Sequence, residues 1–214
     1  RARGRGRRRD RDPAHATDQH TVAQRQTGHD GAALAGPRNN QANLHVQCGE
    51  YADALPHALE AIAIADPIAH RLLLIGVRCT CAIALAGTGR SGEALALLAA
   101  NEQELPRLDQ PYYGADHYLT AARVHLLRRE PDAAMAALQR ARDIATATQL
   151  DAYAVQLLEL HAEIAEAQGD TGATVQHLRA LREAERRTLD RETAGKLRSF
   201  EASMRLRERE HEHA

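Results

Sequence analysis

Tryptophan is absent from this sequence, phenylalanine occurs only at Phe200, and lysine only at Lys196. The strand-favouring residues Val, Ile, Tyr and Phe are sparse, which argues against a β-rich fold. Alanine, leucine, arginine, glutamate and glutamine dominate instead, all of them good helix formers. Composition alone therefore points to an all-α protein. The scarcity of lysine beside abundant arginine reads as coding bias in a GC-rich genome. With a formal net charge of −1, no global electrostatic attraction to nucleic acid follows. Three cysteines, Cys48, Cys79 and Cys81, make an odd set with no regular framework, which suggests a reducing, cytoplasmic compartment. Cys79 and Cys81 are two residues apart, so on a helix they point about 200° apart. They cannot share a metal there and read as small buried apolar residues. No run approaches about 18 uninterrupted apolar residues, so no membrane span is expected. No apolar segment follows the basic N-terminus, so it is not a secretory signal. Lacking an initiator methionine, the chain is expected to be a fragment or a trimmed product.

Residues 1–38 differ from the rest. Seven of the first eleven are arginine, and apolar periodicity is almost lacking. Such a segment buries too little to offset its ordering entropy, and disorder is expected. No aromatic residues interleave with Arg7, Arg8 and Arg9 as a nucleic-acid stacking platform would need. That speaks against nucleic acid as a partner.

From Asn39 onward the pattern turns helical and repeats. Gly49, Gly89, Arg129 and Gly169 lie 40 residues apart. Seven positions before them stand Ala42, Ala82, Ala122 and Ala162; five before, Leu44, Ala84, Val124 and Ile164. Five after them stand Ala54, Ala94, Ala134 and Thr174; nine after, Ala58, Leu98, Leu138 and Leu178. The alanines let two helices of a hairpin approach closely, and the larger columns fill space between them. A turn glycine takes a backbone conformation other residues resist. Arg129 breaks that rule, so its turn is expected to be built differently, with Pro131 restarting the helix. Helices are expected near 39–48, 51–65, 67–87, 90–103, 113–128, 131–147, 151–168 and 171–210. Pro56 falls inside the second of these, which is expected to kink or start late. Asp151 is the expected N-cap of the seventh.

The runs Gly49-Glu50-Tyr51-Ala52-Asp53-Ala54 and Gly89-Arg90-Ser91-Gly92-Glu93-Ala94 carry a resemblance. They resemble the turn and second-helix opening of the tetratricopeptide repeat, although the period here is 40 rather than that family's usual 34. The resemblance covers residues 39–187. It implies a right-handed α-solenoid of four helical hairpins, ending in a long C-terminal helix. It also implies a concave groove lined by first helices, binding a protein or peptide partner. Mapped onto this sequence, the groove positions are Asn39, Asn43 and Gln47, then Ile83, then Arg123 and Leu127, then Glu159, Glu163 and Glu166. Asn39 and Asn43, one turn apart, suit an extended peptide backbone, since carboxamides both donate and accept. A polar N-terminal capping helix is the simpler explanation of the pair. The three glutamates suit a basic ligand or amine, or form a solvated face.

No constellation for catalysis, cofactor or metal stands out, and the chain is not expected to be an enzyme. Gly87-Thr88-Gly89-Arg90-Ser91-Gly92 is glycine-rich, but it joins two helices and reads as a repeat turn. His211 and His213 alternate with glutamates at a chain end and read as solvated. His45 and His125 share one repeat column with Leu85 and Ala165, so that column is expected to be semi-buried.

Residues 188–214 continue the last helix with dense charge. Leu197, Phe200 and Met204 fit a short heptad seam, which would pair the chain with a second copy. Ion pairs such as Glu183–Arg187 would equally support a lone helix. Residues 181–210, LREAERRTLDRETAGKLRSFEASMRLRERE, resemble the helix that ends tetratricopeptide sensor regions in bacterial signalling proteins. There it leads into an output module, often a diguanylate cyclase of the GGDEF type. The resemblance implies a sensory or dimerisation region truncated before its output domain. The alternative is a stand-alone adaptor that uses the groove.

Overall fold

The computed structural model describes residues 33–67, 70–108 and 110–212, with side chains as far as residue 205 except that of residue 151. The described residues form eight α-helices and no strand: α1 (33–47), α2 (Tyr51–Ala65), α3 (Arg71–Gly87), α4 (Ser91–Glu104), α5 (Pro111–Leu127), α6 (Pro131–Ala147), α7 (Ala154–Ala167) and α8 (Thr171–Glu212). None is long and apolar enough to cross a membrane. Residues 1–32 of the segment expected to be disordered lie outside the described residues.

Helix α1 starts at residue 33, not 39. The cause is Ala35, which is fully buried against Ala65 of α2 and Leu74 of α3 and gives this first turn an apolar anchor. Pro56 lies inside α2, which nevertheless starts at Tyr51. The proline is exposed, as is Ala52, whose carbonyl loses its helical donor and can bond to water instead. Pro111 and Pro131 each occupy a first turn, where a missing N–H costs nothing. Helix α7 is not capped by Asp151. A 3-10 turn, Asp151–Tyr153, precedes it, and the helix begins at Ala154.

All four positions of the 40-residue register adopt left-handed backbone: φ is 75° at Gly49, 81° at Gly89, 61° at Arg129 and 77° at Gly169. Each donates its N–H to a carbonyl three residues back. The next residue donates five back: Glu50 to His45, Arg90 to Leu85, Glu130 to His125, and Asp170 to Ala165, at 2.8–2.9 Å. This is the paired bonding of a Schellman turn, which satisfies two carbonyls the helix end would leave open. The third turn is therefore built like the others, with Arg129 accepting the strain. Gly87 is glycine for another reason: a Cβ there would collide with the Tyr51 ring.

Within hairpins α3 packs on α4, α5 on α6 and α7 on α8; between them α2 packs on α3, α3 on α5, and α5 on α7. One core runs from Ala42 and Val46 of α1 through α3 and α5 to Ile164 of α7. The alanine column before the turns is buried in all four copies. The larger columns are buried inside the molecule but not at its ends. Leu44 is 64% exposed and Leu178 45%, since no further hairpin covers α1 or α8 among the described residues. Asn101 is fully buried where other copies carry Ala61 and Ala141. Its amide donates to the Ile75 carbonyl at 3.1 Å and so ties α4 to α3. Cys79 and Cys81 are both buried.

Left-handed backbone costs an L-residue about 1–2 kcal/mol. Arg129 is exposed, so Arg129→Gly is expected to stabilise the fold by about 1 kcal/mol. Urea midpoints of the two proteins check this.

Candidate interaction groove

Two connected cavities lie along the first helices of the hairpins. The first, of about 470 Å³, is walled by α1, α3, α5 and α7, and its polar lining includes Asn39, Asn43, Gln47, Thr80, Asp116 and Arg123. The second, about 540 Å³, is lined by Gln47, Arg123, Leu127, Glu159 and Glu163, among others. Val46, Gln47 and Arg123 belong to both and join them into one groove.

The positions mapped from sequence are thus brought together from four helices. Asn39, Asn43, Ile83 and Arg123 face the first cavity; Leu127, Glu159 and Glu163 face the second. Glu166 lines neither and is exposed on α7. It lies within about 20° of Glu159 around the helix axis, on the same face, but two turns farther along α7 toward the turn.

The groove's electrostatics are acidic. Asp116, Glu159 and Glu163 share the two linings with the guanidinium of Arg123. That guanidinium is already paired with Glu159, at 3.5 Å. Partial burial raises the Glu163 carboxyl above its ordinary range; Arg123 opposes this, and Glu159 and Glu166 add to it. Burial also raises Asp116, with no offsetting charge or hydrogen bond among the described residues. The Cys79 thiol is pushed far up by burial and by Asp116, so it stays a neutral thiol. Tyr153 is likewise held neutral by burial, its hydroxyl donating to the Tyr112 carbonyl at 3.2 Å. The two cavities present carboxamides, hydroxyls and carboxylates beside leucine and tyrosine walls.

Sequence reasoning missed Asp116, Thr80, Thr120 and Gln156. The signal was present in the same register. Thirteen residues before the turns stand Gly36, Gly76, Asp116 and Gln156, and nine before stand Asn40, Thr80, Thr120 and Leu160. The last three of each set line the first cavity.

Outside the groove, two hairpin ends carry the same clasp. His45 Nδ1 meets Glu50 Oε2 at 2.7 Å, and His125 Nδ1 meets Glu130 Oε2 at 2.8 Å. Both histidines are half-buried, as their column suggested. Arg128 adds two bonds to Glu130 and, with His125, holds its carboxyl down at about 2. Asp53 joins the first clasp, so that His45, Glu50 and Asp53 bring ligand atoms within 4.8 Å of one another. The recurrence of the clasp at His125 without a third acid explains the pair as a helix-end lock. The side chains of His211 and His213 lie outside the described residues.

No protein-family model, curated protein or solved structure matches this chain.

Asp116 titrates above its unfolded value, so its contribution to stability is fully present at acid pH and is lost as pH rises through its folded pKa. Asp116→Asn is therefore expected to stabilise the free protein at pH 7. The gain should vanish below the ordinary carboxylate range. Thermal midpoints of both proteins across pH 3–8 test the sign.

Proposed function

We propose that this chain is a tetratricopeptide-type interaction scaffold, the sensory and dimerisation region of a bacterial signalling protein whose output module lies outside this chain. On this reading four hairpins with a 40-residue period stack as a right-handed solenoid, residues 39–187 forming the repeats. The chain works in the cytoplasm, has no active site of its own, and passes its state along α8. The four equivalent left-handed turns support the repeat reading.

One observation carries the dimerisation part. Helix α8 runs 42 residues, about 63 Å at 1.5 Å per residue. Leu189, Leu197, Phe200 and Met204 are all 39–63% exposed. At 100° per residue they fall within an arc of about 80°, one stripe along the helix. Val175 and Leu178 extend that stripe toward α7 and are exposed as well. Apolar residues recurring on one face of an otherwise charged helix, densest at Leu197, Phe200 and Met204, suit an association surface. A second copy is the simplest occupant, since a symmetric pair covers both stripes at once.

Sedimentation equilibrium tests this. The wild-type chain is expected to dimerise at micromolar concentration, and Leu197→Glu with Phe200→Glu to be monomeric with unchanged helix content. A wild-type chain that stays monomeric at high concentration sinks the reading.

The adaptor reading is favoured by a different observation, the convergence of Gln47 and Arg123 on both cavities. Here the groove binds an extended protein segment whether or not α8 pairs. Asn43→Ala with Arg123→Ala is expected to reduce by at least roughly tenfold the retention of proteins that the wild-type chain captures, the loss of two or more polar contacts. Quantitative mass spectrometry of paired pull-downs reads the outcome, and unchanged retention contradicts groove binding.

A further inference from the structure

Asp116 of α5 lines the first cavity half-buried, and no charge or hydrogen bond among the described residues offsets its burial. Arg123 is the one cation among the described residues lining that cavity, and it is engaged by Glu159. A desolvated carboxylate ordinarily has a cation or several N–H donors beside it. A second acceptor in the same cavity is also unserved: Asn39 Oδ1 is buried with no hydrogen-bond partner. Gly76 supplies a third observation. It sits inside α3, where glycine is destabilising relative to alanine, yet a Cβ built there meets nothing within 4 Å. What the absent side chain leaves is room in this cavity. Around it, Tyr112, Tyr113, Leu72, Leu73 and Leu119 offer aromatic and aliphatic surface. Such walls suit a methylene stem that ends in a cation.

We propose that this cavity is a subsite for a lysine or arginine side chain presented by an extended segment of a partner protein. Asp116 receives the cationic head, and Asn39 Oδ1 accepts one of its N–H groups. The assignment rests on the groove reading above and specifies the chemistry of its ligand. The ligand is a peptide segment rather than a free amine because the cavity opens, past Val46, Gln47 and Arg123, into the second one. A small amine would fill only the first. Glu159 and Glu163 on that second stretch add attraction for further basic residues.

The test uses the full chain, ¹⁵N-labelled, titrated with four probes. These are a capped oligoalanine peptide with one central lysine, its arginine and leucine counterparts, and n-butylammonium. Amide shifts at Gly76, Thr80 and Thr120 report occupancy. The lysine and arginine peptides are expected to bind at least roughly tenfold more tightly than the leucine peptide or the free amine. Asp116→Asn should erase the preference for lysine over leucine. Gly76→Leu should block the basic peptides with Asp116 intact. Lysine and leucine peptides that bind alike, and are both weakened by Asn43→Ala, would overturn the cation subsite and leave the groove standing. n-Butylammonium binding as tightly as the lysine peptide would overturn the peptide assignment. If no probe moves those amides, the subsite and the groove reading fall together.

Discussion

Each hairpin is closed by a single residue held between φ 61° and 81°, and the rest of the molecule follows from that closure. The left-handed residue turns the chain back and lets the next amide reach five residues upstream. With two helix-end carbonyls satisfied, the second helix leaves at a fixed angle. The alanines seven before and five after the turn then set how closely the two helices pack; every such alanine is buried. A larger side chain there would force the helices apart, at about 1–3 kcal/mol per overpacked site. Because the closure recurs at one spacing, the first helices lie side by side and their outward faces form one groove.

The same arrangement explains where apolar surface stays open among the described residues. Interior hairpins cover each other's apolar columns, whereas Leu44 and Leu178 stay open at the two ends. Helix α8 carries this further, since its stripe extends well past the reach of α7. The groove is unfinished in an electrostatic sense. Among the described residues carboxylates outnumber guanidinium along it, and Asp116 is desolvated with no offsetting charge. Groups that weaken the free protein in this way are the ones a ligand can satisfy.

Much of this was legible in the sequence, for identifiable reasons. Helix positions follow from apolar periodicity and proline placement, and the turn register from three glycines and an arginine at equal spacing. The Arg129 turn was misjudged because residue type suggested strain avoided, whereas two hydrogen bonds and tertiary packing impose it. The start of α1 was missed because one alanine, Ala35, carries the burial there. Most expected groove residues converge, since positions ten, six and two before the turns share one face of the first helices. Glu166 lines neither cavity although it shares a face with Glu159, so its place along α7 and not its rotation separates it from them. Asp116 escaped notice because its oddity is the lack of a partner, and partners are a property of three dimensions. The histidine–glutamate clasps were hidden in another way. Their five-residue spacing is unfavourable on a continuous helix and becomes close only across a left-handed turn.

Site-resolved amide hydrogen exchange on the full chain tests most directly whether four equivalent closures organise the fold. The amides of Glu50, Arg90, Glu130 and Asp170 should all be protected, with protection greatest around α3 and α5 and falling toward α1 and the far half of α8. A Glu130 amide that exchanges at the free rate while Glu50 and Arg90 are protected would contradict the equivalence of the third turn. Protection that is flat along the chain would contradict a stack held from its middle.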